Sequence, residues 1–411
     1  MVISNTRSNG EVKYNLDQVR AAYWEAIDAV KRCCSPDGVK ASGSLTGYQQ
    51  VWARDSMITA LGVRHLTDPL IQRALAASVS NLKLGQAPTG AIPNYVNGPT
   101  GPPNFRAYAD GSLWWLIGSV LVAPDRGAAR KVLRWCEHQD VDNSGLISMQ
   151  EASDWQDLFC TRGKGLYLNC LYLLALRAAA KLFESSDPEE YNLCFQRAAR
   201  VTERLNRMFW YRGNADMLPH FSHSFTTMDN PWQDSLGRPR WIPAKQRLVD
   251  QQYYLPYLGF RAVGEWFDSL GNLLAILAGV ADQEKTNIIL DFISQHDLDT
   301  WPLRSLTPVV RPGDSDWREY YTSVNQPHHY HNGGVWPFIG GFYIAALVKA
   351  GRHEAADRAL GKLAELNLRG EFNEWYHGET GEPMGVKCQA WSAGMYLFAF
   401  ECLRRGRVDF L

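Results

Sequence analysis

The sequence has no surplus of either charge: 42 Lys+Arg stand against 43 Asp+Glu. Nucleic-acid binding usually shows as a basic excess on one face, so that class of partner drops out. No apolar run reaches the roughly 18–20 residues that a bilayer crossing needs, which argues against a membrane partner. The first ten residues are polar and lack a signal-peptide core. The eight cysteines are poorly placed for pairing: Cys33 and Cys34 are adjacent, and Cys170, Cys194 and Cys402 fall inside helical patterns. They read as reduced thiols, and a cytoplasmic protein is expected. No Cys/His spacing suits zinc, and neither a metal nor a cofactor is implied. No repeat recurs and no composition break divides the chain, so one domain over residues 1–411 is expected.

Aromatic side chains, by contrast, are plentiful, with 15 Trp and 18 Tyr. They serve as core filler, and they also line carbohydrate sites, where rings stack on the apolar faces of sugars. Helical periodicity dominates the rest. Over residues 16–34 apolar side chains recur at three- and four-residue spacing through Val19, Ala22, Ala26 and Val30. Further helices are predicted near 54–66, 68–84, 110–123, 125–139, 165–185 and 188–210. Others fall near 266–281, 283–296, 333–350, 353–368 and 388–405. Pro69, Pro124 and Pro188 stand near helix starts, where a missing N–H costs least.

The twelve helices come in pairs, an all-apolar member followed by one with a charged face; Leu166–Phe183 before Glu189–Met208 is the clearest case. An apolar helix belongs inside and an amphipathic one covers it. Six such pairs predict an all-α fold, an (α/α)6 barrel, with a solenoid as the competing arrangement. Long loops are expected after the inner helices, at 85–106, 140–162, 211–261, 301–332 and 370–387. If they gather at one end, they form a deep pocket. The segment 212–260 is expected to be a β-hairpin or a lid over one mouth.

Two acidic clusters, each with tryptophan inside, stand in these loops. Glu374 lies in Phe372-Asn-Glu-Trp-Tyr376, and Asp154 and Asp157 flank Trp155 in the other. Two carboxyl groups facing each other across a sugar are the equipment of glycoside hydrolysis. An acid beside an indole loses solvation and keeps its proton, as a general acid must. Trp52, Arg54 and Asp55 open the second helix. They read either as a helix start whose acid favours the macrodipole or as an ion pair for sugar hydroxyls beside a stacking ring. In the run His328–Pro337, three histidines suggest metal weakly. Hydroxyl recognition by His331 and Asn332 suits their donor–acceptor edges better. Gln389, with Trp391 just beyond, either binds a hydroxyl or caps the last helix.

Several of these elements together resemble the neutral/alkaline invertase family of glycoside hydrolases. His331-Asn-Gly-Gly-Val-Trp-Pro337 is similar to its Tyr-His-Asn-Gly-Gly-x-Trp-Pro element. Ser269-Leu-Gly-Asn-Leu-Leu-Ala-Ile-Leu277 resembles its Ser-Leu-Gly-Asn helix. Phe372–Tyr376 and Gln389–Tyr396 resemble its Pro-Glu-Tyr-Tyr and Gln-Thr-Trp elements, with Asn373 where the family has Pro. The His-Asn-Gly run and Arg162-Gly-Lys-Gly165 also resemble bacterial amylo-α-1,6-glucosidases. The resemblance implies the (α/α)6 barrel and an inverting, exo-acting hydrolase of sucrose or a short α-glucoside. By carry-over Asp157 is the general acid, with Asp154 its rival, and Glu374 the general base. Trp52, Arg54, Asp55, Asp154, Trp155, His331, Asn332, Gln389 and Trp391 would bind the small-molecule sugar. The competing reading is a sugar epimerase on the same barrel, using histidines such as His220, His223, His328, His329 and His331.

Overall fold

The computed structural model describes residues 16–98, 100–106, 109–211, 252–259 and 262–410. Twelve α-helices occur among the described residues, at the predicted places: α1 Leu16–Cys33, α2 Ala53–Val63, α3 Pro69–Leu84, α4 Asp110–Val122, α5 Arg126–Gln139 and α6 Leu166–Phe183. The second half holds α7 Pro188–Met208, α8 Ser269–Leu277, α9 Gln283–Gln295, α10 Pro337–Lys349, α11 His353–Gly370 and α12 Ala390–Arg405.

The even-numbered helices form the inner ring. α2 packs on α4, α4 on α6, α6 on α8, α8 on α10, α10 on α12, and α12 back on α2. That closure makes an (α/α)6 barrel and excludes an open solenoid. Every residue of α2 and of α8 is buried, which is why no polar stripe marks them in the sequence. The odd-numbered helices bury one stripe each. α7, for example, buries Cys194, Ala198, Val201, Leu205 and Met208 and leaves its charges outside. α1 supplies the sixth outer helix by packing on α11 and α12, so one pair is made by the two ends of the chain.

α6 is an exception to the expectation of no membrane-length apolar run. It is 18 residues long and apolar enough, by length and composition, to cross a bilayer. It is also 83% buried inside the ring, the environment its composition serves here.

Helix starts divide the two rings. Four outer helices begin on aspartates that accept N–H bonds, Asp68 on α3, Asp125 on α5, Asp187 on α7 and Asp282 on α9, while α11 begins on Arg352 without a side-chain cap. The Pro69 and Pro188 rings fill the first helical turn, as expected. Inner helices α2, α4, α6, α10 and α12 have no side-chain cap. Their N-terminal N–H groups and positive dipole ends are left for whatever lies beyond.

The long loops lie beyond. They follow the outer helices, not the inner ones as predicted, and run into the inner helices' N-termini. The pairing order explains the shift: each inner helix is joined to its outer partner by a short turn, so the long return leads from outer helix to next inner helix. Two-residue strands deliver the chain into place. Val51–Trp52 precedes α2 and pairs with Tyr95–Val96, and Phe267–Asp268 precedes α8 and pairs with Leu306–Thr307. Trp210–Tyr211 and Tyr253–Tyr254 pair as the neck of the 212–260 excursion. The expected lid itself lies outside the described residues, apart from short strands after residue 252.

α2 and α12 cross at glycines. A Cβ on Gly62 would stand 1.8 Å from the Gly394 carbonyl oxygen, and one on Gly394 would stand 2.8 Å from the Thr59 Cα. Neither backbone can retreat without opening the ring. Gly62→Ala is therefore expected to cost about 1–3 kcal/mol or more of overpacking, read as a lower urea midpoint at unchanged m-value.

Candidate active site

The first turns of α2, α10 and α12 floor a cavity of about 1000 Å³, open mouth included. Below the floor the ring is filled: Phe338 and Trp391 stack at 4.3 Å between centroids, and Trp155 meets Phe338 edge-on. The cavity is thus a cup and not a tunnel. Nine of the sequence-derived residues line it: Trp52, Arg54, Asp55, Trp155, Asp157, His331, Glu374, Gln389 and Trp391. They come from three loops and two helix starts, far apart in the chain.

Arg54 is buried and lies at the centre of the wall. Its Nη1 donates to Asp110 Oδ2 at 3.1 Å and to the Asp154 carbonyl at 3.2 Å, and its Nε stands 3.9 Å from Asp55 Oδ2. Asp110 in turn accepts from the Tyr167 hydroxyl at 2.8 Å, and Trp114 Nε1 donates to that hydroxyl at 2.7 Å. A charged chain therefore runs from α2 through α4 to α6 beneath the cup. Sequence reading missed Asp110. Its signal was an acid at the head of an otherwise apolar helix, which has to find a partner.

Glu374 is 5% exposed. Its Oε2 accepts from the Val386 N–H at 3.2 Å, and the Tyr48 hydroxyl hydrogen-bonds to it. Burial, and then the like charges of Asp55 and Asp157, push its pKa up to about 8 against those two donors. Gly385 is required beside it: its φ is +73°, and a Cβ there would lie 2.6 Å from Glu374 Oε2. Asn373, in the place of the family's Pro, anchors the same loop. Its Nδ2 donates to the carbonyls of Trp375 and Met384, and its own carbonyl accepts from Ser392 Oγ. An amide that pins two strands replaces a ring that stiffens one.

Asp157 is half-buried and faces the cup with Glu374 and Asp55, close enough that its charge raises both neighbours. Burial takes Asp55 up to about 6 despite Arg54. His331 stacks on Trp336 at 5.3 Å and 15°. Burial and the Arg54 cation hold it well below the usual histidine range, so it is neutral. Gln389 sits at the N-cap position of α12 but makes no cap bond, and its Nε2 has no partner among the described residues. The Nε1 groups of Trp52, Trp155 and Trp391 are likewise without a partner.

Two expected sugar ligands are not in the wall. Asp154 is fully buried behind it; its Oδ1 accepts from the Gln156 N–H at 2.8 Å, and burial with Asp110 drives its pKa far up. It shapes the turn that presents Asp157 instead of facing a ligand. Asn332 has spent its amide: Oδ1 accepts from Val310 N, and Nδ2 donates to the carbonyls of Val310 and Asn325. Both amide hydrogens are used and the side chain has no exposed surface, so it does not face a diol. Tyr48, Tyr95, Arg106, Leu158, Tyr330 and Trp336 line the cup as well and were not chosen from sequence. Only Tyr330 and Trp336 carried a signal, as neighbours of His331. His328 and His329 lie outside the lining, against Glu379 and His377, while His220 and His223 lie outside the described residues. Among the described residues, the histidine-based epimerase reading keeps a single histidine in the cup, His331.

A closed (α/α)6 ring with an acidic, aromatic cup suits a glycoside hydrolase, the class that the relatives share. Among solved structures, the fold matches a mannosylglycerate hydrolase from Thermus thermophilus with Tris and D-glycerate bound. The TM-score is 0.65 at 16% identity, over 92% of this chain and 99% of that one. It also matches a bacterial glucoamylase complexed with acarbose, with a TM-score of 0.65 at 13% identity, over 95% and 56%. A family model for alkaline and neutral invertase matches residues 127–405, and the chain belongs to that family. Cytosolic invertase 1 of Oryza sativa subsp. japonica is 25% identical over 87% of this chain and 72% of its own length. Probable alkaline/neutral invertase F of Arabidopsis thaliana is 25% identical over 87% and 81%.

Raised carboxyls leave a mark on stability. Between the ordinary carboxyl pKa and about 8, the folded chain holds protons on Asp55, Asp268 (up to about 7, through burial) and Glu374 that the unfolded chain has released. Their contribution is therefore present at acid pH and lost as pH rises through that window. Asp268→Asn and Glu374→Gln should each flatten the fall in unfolding free energy between pH 5 and pH 9, read from urea titrations. An unchanged slope in both would contradict the assignment.

Proposed function

We propose that the chain is an inverting, exo-acting glycosidase whose substrate is sucrose. The observation that carries this reading is that Asp157 and Glu374, remote in sequence, line one cup. Asp157 protonates the glycosidic oxygen and Glu374 activates a water on the opposite face, which needs the carboxyls roughly 6.5–9.5 Å apart. Both hydrogen bonds to Glu374, from Val386 and Tyr48, are donated to it, which suits a carboxylate waiting to accept a proton. With Glu374 at about 8, the ionised fraction rises with pH, so kcat/KM should climb through neutrality.

The partnerless donors of Trp52, Trp155, Gln389 and Trp391 give the glycone its hydroxyl contacts, with Arg54 and Asp55 holding its far edge. A buried donor without a partner costs about 1–3 kcal/mol, which a sugar oxygen removes. The filled floor supports cleavage from a chain end or of a disaccharide. Sucrose is chosen because the relatives are named as invertases. One catalytic domain in the cytoplasm fits the eight free thiols.

The test is proton NMR of freshly released glucose during incubation with sucrose, isomaltose and trehalose. Sucrose cleavage with β-glucose as the first anomer is expected; α-glucose appearing first would overturn the assigned roles. Asp157→Asn and Glu374→Gln should each lower kcat by about 10²–10⁴-fold. Tyr48→Phe removes a donor from Glu374 and should move the acidic limb of the kcat/KM profile to higher pH, with sucrose KM little changed.

A further inference from the structure

The loop after Asp157 and the loop bearing His331 meet beneath the wall of the cup. Asn325 is at that meeting point, with no exposed surface. Its Nδ2 donates to the Leu158 carbonyl at 2.6 Å, and its Oδ1 accepts from the His331 N–H at 3.0 Å. Its own carbonyl accepts from Asn332 Nδ2 at 2.9 Å, and its N–H donates to the Tyr321 carbonyl at 3.0 Å. Leu158 directly follows Asp157, and both line the cup.

We propose that Asn325 is a positioning residue that holds the general-acid loop and the His331 loop as one rigid unit. The inference rests on Asp157 being the acid. Both partners of the side chain are main-chain groups of fixed polarity, a carbonyl on one side and an N–H on the other. Only a group that donates and accepts across one planar unit satisfies both, which is the property of a carboxamide. Other contacts between the loops are weaker supports. Phe159 stacks on Tyr321 at 5.1 Å, Arg318 forks onto the exposed Glu151, and Arg162 reaches the buried Asp316. These contacts join side chains and do not hold the main chain next to Asp157. The Asn325 bonds start from a fully buried side chain, and the one to Leu158 ends one peptide from the acid.

A shift of the acid by about 1 Å costs about 10²-fold in the step that it serves. That step is proton donation to a poor leaving group. Fructose leaves sucrose as an alkoxide and needs the proton, whereas fluoride leaves α-glucosyl fluoride with far less help. Asn325→Asp places a carboxylate oxygen against the Leu158 carbonyl. Once protonated, the same side chain can donate to Leu158 and accept from His331, restoring both bonds.

The experiment compares kcat/KM on sucrose and on α-glucosyl fluoride for the wild type, Asn325→Asp, Asn325→Ala and Asp157→Asn, between pH 5 and pH 8.5. Circular dichroism confirms that each variant is folded. Expected is a loss of about 100-fold on sucrose but under about tenfold on the fluoride for both Asn325 variants. Asn325→Asp alone should recover relative to the wild type as pH falls. Equal losses on both substrates, or no recovery of Asn325→Asp at low pH, would overturn the positioning role. If Asp157→Asn itself loses both substrates equally, the acid assignment fails instead, and the two failures are told apart.

Discussion

One buried guanidinium sets the terms for everything above it. Arg54 is 6% exposed and faces Asp55, Asp110 and the Asp154 carbonyl, with the Trp391 ring 5.8 Å from its carbon. Removing such a charge from water is expensive, and only close, hydrogen-bonded partners offset it. Those partners belong to α2, α4 and the acid loop, so the cation cannot be satisfied unless these elements dock in register. The carboxyl groups around the cup outnumber this cation, so they cannot all be ionised at once. Raised values at Asp55, Asp154 and Glu374 follow from that imbalance combined with burial. The same cation keeps His331 neutral.

The helix starts carry a second electrostatic layer. Aspartates cap four of the outer helices, whereas four of the inner ones begin on Trp52, Gly165, Trp336 or Gln389 without a side-chain cap. Three of those four line the cup. Each inner N-terminus brings roughly half a positive charge toward the mouth. That field favours the ionised form of a carboxylate placed there and works against the desolvation that raises Glu374. Hence the loops that carry chemistry had to enter on this side of the ring.

Much of the architecture was legible because burial on all sides and burial on one side leave different patterns. All-apolar α8 and α10 and striped α7 and α11 could be told apart by inspection. The side on which the long loops fall was misread, since periodicity locates helices and not the order in which turns join them. Within the site, residue type identified Glu374, Asp157 and Gln389 but could not tell an amide with capacity to spare from one already used. Asn332 and Gln389 look alike in sequence; Val310 and Asn325 occupy the first, and nothing among the described residues occupies the Nε2 of the second. Asp110, Tyr48 and Asn325 escaped notice because each takes its meaning from a partner far along the chain.

The ring is sealed by its two ends: Tyr396 on α12 donates to the Val19 carbonyl of α1 at 2.8 Å, and Ser42 bridges to Gln389. Translation therefore lays down Arg54 hundreds of residues before the helix that completes its surroundings. Until α12 emerges from the ribosome, five inner helices expose apolar flanks along an open seam, a condition that invites aggregation or chaperone capture. Joining the ends and opening a new break in an outer turn would let the seam close early. The order of synthesis, and not the native contacts, is then what such a permuted chain would change.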